Sequence, residues 1–400
     1  MYDLHLTPEQ IEFRDTVRAF VEGEIKPVVL KADRLDRGDR SLPLDLLRKA
    51  SQLGLRTLAL PEHLGGVGAD ALTACIVAEE LAAGDPGLAA VLMQTSELCR
   101  WLVPAMTETQ RARLIPELVD DDDCHLALAE REASSETALG LHYHRLDPPA
   151  ATVATVAVRD GGGWRVNGGK IFVANAPLAK LVAVVARSEQ GVGLVLIPRD
   201  TPGLTITEQE EPRWYHGSYG TVALADCRVP ADHWLALPER RDGRECPWPS
   251  ALTLGIGRAA YEAALDYARL RVQGGRPIVA HQAIGAKLAD AAIRLEVARS
   301  AVWRAAWASD HPQAQADRSL PDLPLSTIAH IFTSEAVYRA AKDAGECFGA
   351  MGVMRDMPMH KYIHDARICL YSGDGNTDLR LRLAEEIASF RRRPSMLAAE

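Results

Sequence analysis

Several things are scarce in this 400-residue chain, and each scarcity removes a class of function. No apolar run reaches the roughly 18 residues that a membrane-spanning helix needs. The seven cysteines, Cys75, Cys99, Cys124, Cys227, Cys246, Cys347 and Cys369, include no C-x-x-C pair, so neither a zinc ribbon nor a thiol-redox motif is expected. They read as buried thiols of a cytoplasmic protein. The N-terminus, M-Y-D-L-H-L-T-P-E-Q, has neither a basic-then-apolar signal pattern nor an Arg-rich transit pattern. Positive charge is in deficit: a formal net charge of -9 argues against nucleic acid or an anionic membrane as the main partner, while leaving room for a local basic pocket. Histidines come close together only at His142 with His144 and at His360 with His364. Neither pair has an H-E-x-x-H pattern or further ligands beside it, so no metal is expected.

What is present is enough apolar material, 47% of residues, to bury two or three cores. The apolar spacing is helical over residues 7–118, interrupted by loops at 33–40 and 61–70. Short alternating runs rich in Val and Thr follow over 125–237, separated by Gly and Pro turns. From Ala251 onward the helical period returns, with breaks at about 310–325 and 349–358. Three domains are therefore expected, at 1–122 (helical), 123–240 (β) and 241–400 (helical).

The most pointed local feature is R-V-Q-G-G-R-P-I-V-A-H-Q-A-I, residues 271–284. It closes one amphipathic helical pattern and opens another, with Gly274, Gly275 and Pro277 breaking them apart. An Arg ending one helix and a His-Gln pair starting the next would converge on a turn whose backbone a dinucleotide's phosphates can approach. A plain helix hairpin with a charged tip is the alternative.

Several segments occur in an order that resembles the acyl-CoA dehydrogenase family. They are L-T-P-E-Q-I-E-F-R-D-T-V-R-A-F-V (6–21), G-L-R-T-L-A-L-P-E-H-L-G-G-V-G (54–68) followed by Glu79, Glu80 and Leu81, W-R-V-N-G-G-K-I-F-V-A-N-A (164–176), V-A-L-A-D-C-R-V-P (222–230), the Arg271 joint, G-A-M-G (349–352) and H-D-A-R-I (364–368). The resemblance implies an α+β multidomain fold: an N-terminal helical domain, a middle β-barrel-like domain and a C-terminal four-helix bundle that pairs into homodimers or homotetramers. It also implies an FAD-dependent oxidoreductase that removes hydrogen from the CH-CH group of an acyl thioester, bound to CoA or to an acyl carrier protein, and passes electrons to an electron-transfer protein.

Residue by residue, the resemblance assigns the flavin edge to Leu126, Leu128 and Ala129, with Ala129 where the family has Thr, so only backbone N–H groups remain there. Phe172 stands at the family's Trp, a flat ring against the flavin, flanked by Val173 and by Ala174 at a usual Thr. Arg271, with Gln273 beside it, and Gln282 match the residues holding the pyrophosphate and adenine end, typically across a subunit boundary; a guanidinium fork suits phosphate. Glu346, Phe348, Gly349 and Ala350 match a Q-x-x-G-G segment, with Glu replacing Gln. Ser135 matches the Ser beside the pantetheine, and Asn376 and Asp378 complete the C-terminal loop.

The chemistry also needs a desolvated carboxylate to take the α-proton. Two candidates match family positions: Asp374 in Y-S-G-D-G-N-T-D-L (371–379), and Glu245, 26 residues upstream of Arg271. Glu132 and Glu136 make the Ser135 loop acidic, which disfavours CoA phosphates and keeps a carrier-bound acyl group open. A flavin oxidase or monooxygenase on the same fold, and a catalytically silent partner subunit, remain alternatives, because Ala129, Ala174 and Glu346 all depart from the flavin-binding pattern.

Overall fold

A computed structural model gives the fold; it describes residues 5–35, 41–132, 153–209, 214–238, 243–371 and 375–388. Ser135, Glu136, His142, His144 and Asp374 lie outside the described residues.

The N-terminal part is helical: α1 (Pro8–Phe20), which runs on through a π-turn into α2 (Lys26–Val29), then α3 (Ala32–Leu35), α4 (Leu44–Gln52), α5 (Ala71–Gly84), α6 (Pro86–Leu102) and α7 (Glu108–Asp120). Local chemistry sets their starts. Thr7 and Thr107 each accept from the N–H three residues on, and Gln10 and Gln110 return the bond, two capping boxes. Asp70 and Asp85 cap α5 and α6. Every residue of α5 except Leu72 is buried, which makes it the helix around which the others pack.

The middle part is one eight-stranded sheet: β1 (His125–Ala129), β2 (Val156–Asp160), β3 (Gly163–Ala174), β4 (Ala179–Ser188), β5 (Gly191–Pro198), β6 (Leu204–Glu208), β7 (Tyr219–Pro230) and β8 (Trp234–Ala236), in the order β6-β7-β3-β2-β4-β5-β8, with β1 lying parallel on β4. Residues of β4 alternate between two cores. Val182, Val184 and Ala186 face Trp164, Val166, Val222 and Leu224 from the β3–β7 half, so the sheet closes on itself in barrel fashion. Ala183 and Val185 face Leu98, Leu102 and Ile115 of α6 and α7.

The C-terminal part comprises α8 (Trp248–Leu270), a two-residue hairpin of β9 (Val272–Gln273) and β10 (Arg276–Pro277), α9 (Gln282–Asp310), α10 (Gln313–Ala316), α11 (Leu325–Phe348), α12 (Met359–Cys369) and α13 (Gly375–Ala388). Helices α8, α9, α11 and α12 form the four-helix bundle. Helix α8 also crosses α5 so closely that a Cβ on Gly255 would stand 2.3 Å from the Glu79 carbonyl oxygen.

Two buried charge clusters hold the three parts together. On α5, Glu80 meets Arg18 and Arg258, each at 2.7 Å, and Glu79 meets Arg299 at 2.8 Å. Burial alone would raise the Glu80 carboxyl, but Arg18 and Arg258 hold it below its usual range. In the second cluster Asp85, at the start of α6, lies 2.6 Å from His216 Nδ1 and 3.2 Å from Lys361 Nζ, and Lys361 lies 2.9 Å from Asp365. The Tyr215 N–H donates to Asp365 Oδ1 at 2.6 Å. All four side chains are fully buried, and burial of Asp85 is outweighed by Lys361 and His216, which keep it ionised. All seven cysteines are buried free thiols, and no described helix is long and apolar enough to cross a membrane.

Candidate active site

On the sheet side, β1 ends where its open edge faces the β3 strand end. Leu126 bonds on the edge away from β4: its N–H donates to Thr95 Oγ1 at 3.1 Å, and its carbonyl oxygen accepts from Asn175 Nδ2 at 3.3 Å. The two-residue period of a strand puts the Leu128 N–H on that same open edge and the Ala129 N–H on the β4 side. The Leu126 side chain, and Ala129 as a whole, are buried in the protein, so only backbone of this segment is available to a cofactor.

Opposite, β3 slips its register against β7 between Lys170 and Val173. The bulge places Phe172 at φ 53°, in the left-handed region that a bulky side chain rarely occupies. Phe172 does not join the sheet core: it is 40% exposed, with the Arg131 guanidinium 5.9 Å from its ring centroid. Val173 turns inward to the sheet core, so its side chain cannot face a ligand, while Ala174 is half-buried.

An ion pair between β1's end and β3 fixes this corner. Lys170 Nζ donates to Glu132 and, at 3.1 Å, to the Glu130 carbonyl oxygen; Glu132 also accepts from Thr155 Oγ1 at 3.0 Å. Both Lys170 and Glu132 are buried. Glu132 is therefore neutralised inside the protein rather than presented to a phosphate, which corrects the expectation that it makes the neighbouring loop acidic toward CoA.

At the end of the bundle, the 271–284 segment forms the hairpin that its glycines and proline predict. Gly274 and Gly275 have φ 57° and 79°, and the Arg271 backbone closes the hairpin to Ile278 at 2.8 Å. Arg271, Gln273, Arg276 and Gln282 are exposed there; His281 Nε2 lies 3.0 Å from the Gln273 carbonyl oxygen, which orients the tip. Phe348 is not a cofactor-facing ring, because it stacks on Tyr267 at 4.3 Å inside the bundle. That stack brings the exposed Glu346, Gly349 and Ala350 to the same end as Arg271. Lys287 pairs with Glu346 and holds its carboxyl below the usual range. Asn376 is buried and donates to Ser334 at 2.9 Å, which anchors α13 on α11, and Asp378 is buried on the same helix.

The donors present suit an extended dinucleotide flavin: a ring-stacking aromatic and strand-edge backbone on one side, an exposed guanidinium, amide and open Gly349 backbone on the other. Among the described residues no hydrogen bond, ion pair or ring contact joins Arg271, Gln273 or Gln282 to Phe172.

Of the two base candidates, Glu245 precedes α8 and is exposed. Its segment is fixed: Ser326 Oγ donates to the Glu245 carbonyl oxygen at 2.5 Å, and the Ser326 N–H donates to Gly243 at 2.8 Å. The Glu245 carboxylate accepts its neighbour's N–H, from Arg244, at 3.0 Å. The next residue, Cys246, is buried against Glu97, an acid the sequence reading missed. Burial raises the Glu97 carboxyl despite Arg100 at 3.1 Å. The available signal was a Glu three residues before Arg100 in α6, between the apolar positions Met93 and Leu98.

Comparisons with known proteins agree with this architecture. Residues 7–122, 128–224 and 249–388 match the N-terminal, middle and C-terminal domains of acyl-CoA dehydrogenases. An acyl-CoA dehydrogenase of Bacillus subtilis is 31% identical over 390 residues, covering 92% of this chain and 96% of that protein. Benzylmalonyl-CoA dehydrogenase of Aromatoleum aromaticum is 31% identical over 401 residues, covering 97% and 100%. The structure of butyryl-CoA dehydrogenase from Megasphaera elsdenii superposes with a TM-score of 0.81 at 25% identity, covering 97% of this chain and all of that one. With its motifs in order and its helical, sheet and helical parts in place, the chain belongs to the acyl-CoA dehydrogenase family, FAD-dependent oxidoreductases that desaturate acyl thioesters at the CH-CH group.

Proposed function

We propose that the chain desaturates an acyl-CoA as a homo-oligomer, with Glu245 taking the α-proton and with Arg271 and Gln282 of one subunit completing the flavin site of another. The observation that carries this reading is the pair of exposed surfaces, the Phe172 corner and the Arg271 hairpin, which no bond joins among the described residues. Ile293 and Val297, one turn apart on α9 and 60% and 50% exposed, supply apolar surface for self-association on the bundle. CoA is favoured over a carrier protein as the acyl donor's handle because Glu132, the described acid of the loop entry, is neutralised by Lys170.

FAD, when bound, supplies the acceptor for the hydride that leaves the β-carbon. The chain's own part is to orient and to move a proton. Ser326 and Gly243 hold the Glu245 backbone in place, and the substrate's apolar body would exclude water from a carboxylate that is exposed in the free chain, raising its proton affinity toward working pH. The strained Phe172 bulge fixes the ring against which the flavin lies. Electrons then leave to a protein acceptor.

The test is an anaerobic titration of the purified flavoprotein with short, branched and long acyl-CoA esters, following the flavin band near about 450 nm. Bleaching by one ester class is expected, with Glu245→Gln abolishing it by a factor of about a hundred or more and Asp374→Asn leaving it. The reverse pattern would assign the base to Asp374, and a flavin that no thioester bleaches would sink the reading.

A further inference from the structure

Where α6 passes the sheet, four uncharged groups close a ring of hydrogen bonds. The Thr95 hydroxyl donates to the Val91 carbonyl oxygen, one turn back on the helix, at 3.2 Å. With its one proton committed there, its lone pairs accept the Leu126 N–H of β1 at 3.1 Å. Asn175, the residue after β3, directs its side-chain amide to the same two residues: Nδ2 donates to the Val91 carbonyl oxygen at 3.0 Å and to the Leu126 carbonyl oxygen at 3.3 Å. Both amide protons are thereby used. None of the four residues is more than 7% exposed, so water does not compete for these bonds.

The Asn175 end of the ring is itself held. Its backbone sits at φ 64°, a left-handed conformation that Asn tolerates. Its N–H donates to the Ser218 carbonyl oxygen at 3.0 Å, and its carbonyl oxygen accepts from the N–H groups of Leu178 and Ala179 at 2.9 and 2.8 Å. The amide therefore hangs from a fixed turn.

The ring stands between the two sheet elements assigned to the flavin. Phe172 lies three residues before Asn175, and Leu128 lies two after Leu126. On the open edge of β1 the strand period presents alternate residues. Leu126 is occupied there by Thr95 and Asn175, and the Glu130 carbonyl oxygen by Lys170 Nζ at 3.1 Å. Leu128 is the half-buried position between them, and among the described residues no hydrogen bond reaches it from that edge. Each clamp is about 7 Å along the strand from it, too near for the Leu128 N–H to drift while the ring is closed.

We infer that Thr95 and Asn175 are positioning residues for the flavin: the ring sets the spacing between the Leu128 N–H and the Phe172 side chain, so that one FAD meets both. Thr95 acts through Leu126, and Asn175 through the end of β3. The inference rests on FAD lying at this corner and is independent of the base assignment.

Thr95→Val removes the hydroxyl and keeps the branched shape. On the intact chain, at a temperature where it stays folded, FAD is expected to bind about fivefold to tenfold more weakly, the worth of one lost hydrogen bond, and the visible circular dichroism of the bound flavin to change. Thr95→Ser, which keeps the hydroxyl, should restore both. Unchanged affinity and dichroism in Thr95→Val, or a Thr95→Ser no better than it, would overturn the positioning role whatever happens to stability. Hydrogen exchange resolved to single amides on the unmodified chain separates this role from the reading beneath it: Leu126 should be protected with or without FAD, and Leu128 only with FAD. No FAD-dependent protection at Leu128 would remove the flavin from this edge and the inference with it. A Leu126 amide that exchanges freely in the apoprotein would sink the ring alone. If Thr95→Val fails to fold, the exchange pattern decides.

Discussion

The two halves of the proposed flavin site are built on opposite principles. The sheet half is locked: Lys170 and Glu132 are buried as a pair, Asn175 ties β3 to β1, and Phe172 is held in a conformation it would not adopt unaided. The bundle half is open, with Arg271 and Gln282 exposed around a hairpin of two residues per strand. A ring system needs a rigid edge to set its angle, whereas a pyrophosphate needs exposed charge within its reach. Stability and cofactor affinity should therefore separate along this line.

The largest effect is expected from Lys170→Met, which strands Glu132 as a buried charge. Breaking such a pair costs about 3–5 kcal/mol, readable as a shift of the denaturant midpoint of the apoprotein, and a shift below about 1 kcal/mol would show that the corner is not locked. His125, where β1 begins, comes next. Burial, and then Arg56, lower its pKa to about 4 from an ordinary 6.5. A histidine with a depressed folded pKa contributes fully above its unfolded pKa, and that contribution is lost as pH falls from 6.5 toward 4. The slope approaches about 1.4 kcal/mol per pH unit, and His125→Gln should flatten it in stability measurements across this window.

On the open side the order of effects inverts. Arg271→Ala should weaken FAD binding by about tenfold to a hundredfold, the worth of charge-assisted bonds to phosphate, while apoprotein melting stays put; equal losses of affinity and stability would erase the distinction between the halves. Smallest is Glu346→Gln. Because Lys287 already neutralises this exposed carboxylate, FAD affinity measured by fluorescence quenching should change by no more than about fivefold.

Much of this architecture was legible because its signals are local. The switch from a period of 3.6 to one of 2 and back marked the three layers, and Gly274, Gly275 and Pro277 marked the hairpin that separates α8 from α9. Side-chain direction was harder. Val173 and Phe348 fall at positions that match flavin-facing residues, yet the strand alternation turns one inward and Tyr267 captures the other. Glu132 read as a loop acid because its partner Lys170 lies 38 residues away in sequence. The Asp85–His216–Lys361–Asp365 cluster was invisible for the same reason, although Lys361 and Asp365 stand one helical turn apart on α12. The bulge at Phe172 also had no sequence mark, since nothing in F-V-A-N requires a left-handed residue.

That last cluster has a consequence for how the molecule can be taken apart. Asp85 comes from the first layer, His216 from the loop ahead of β7, and Lys361 with Asp365 from the bundle. None of the three layers is a portable module: a fragment ending before α12 would carry Asp85 and His216 without the Lys361 ammonium that also faces Asp85, and a chimera that swaps one layer for a relative's inherits a mismatch in this buried cluster. Only an exchange of all three contributors together preserves the interior, so the chain is expected to change by recombination as one piece.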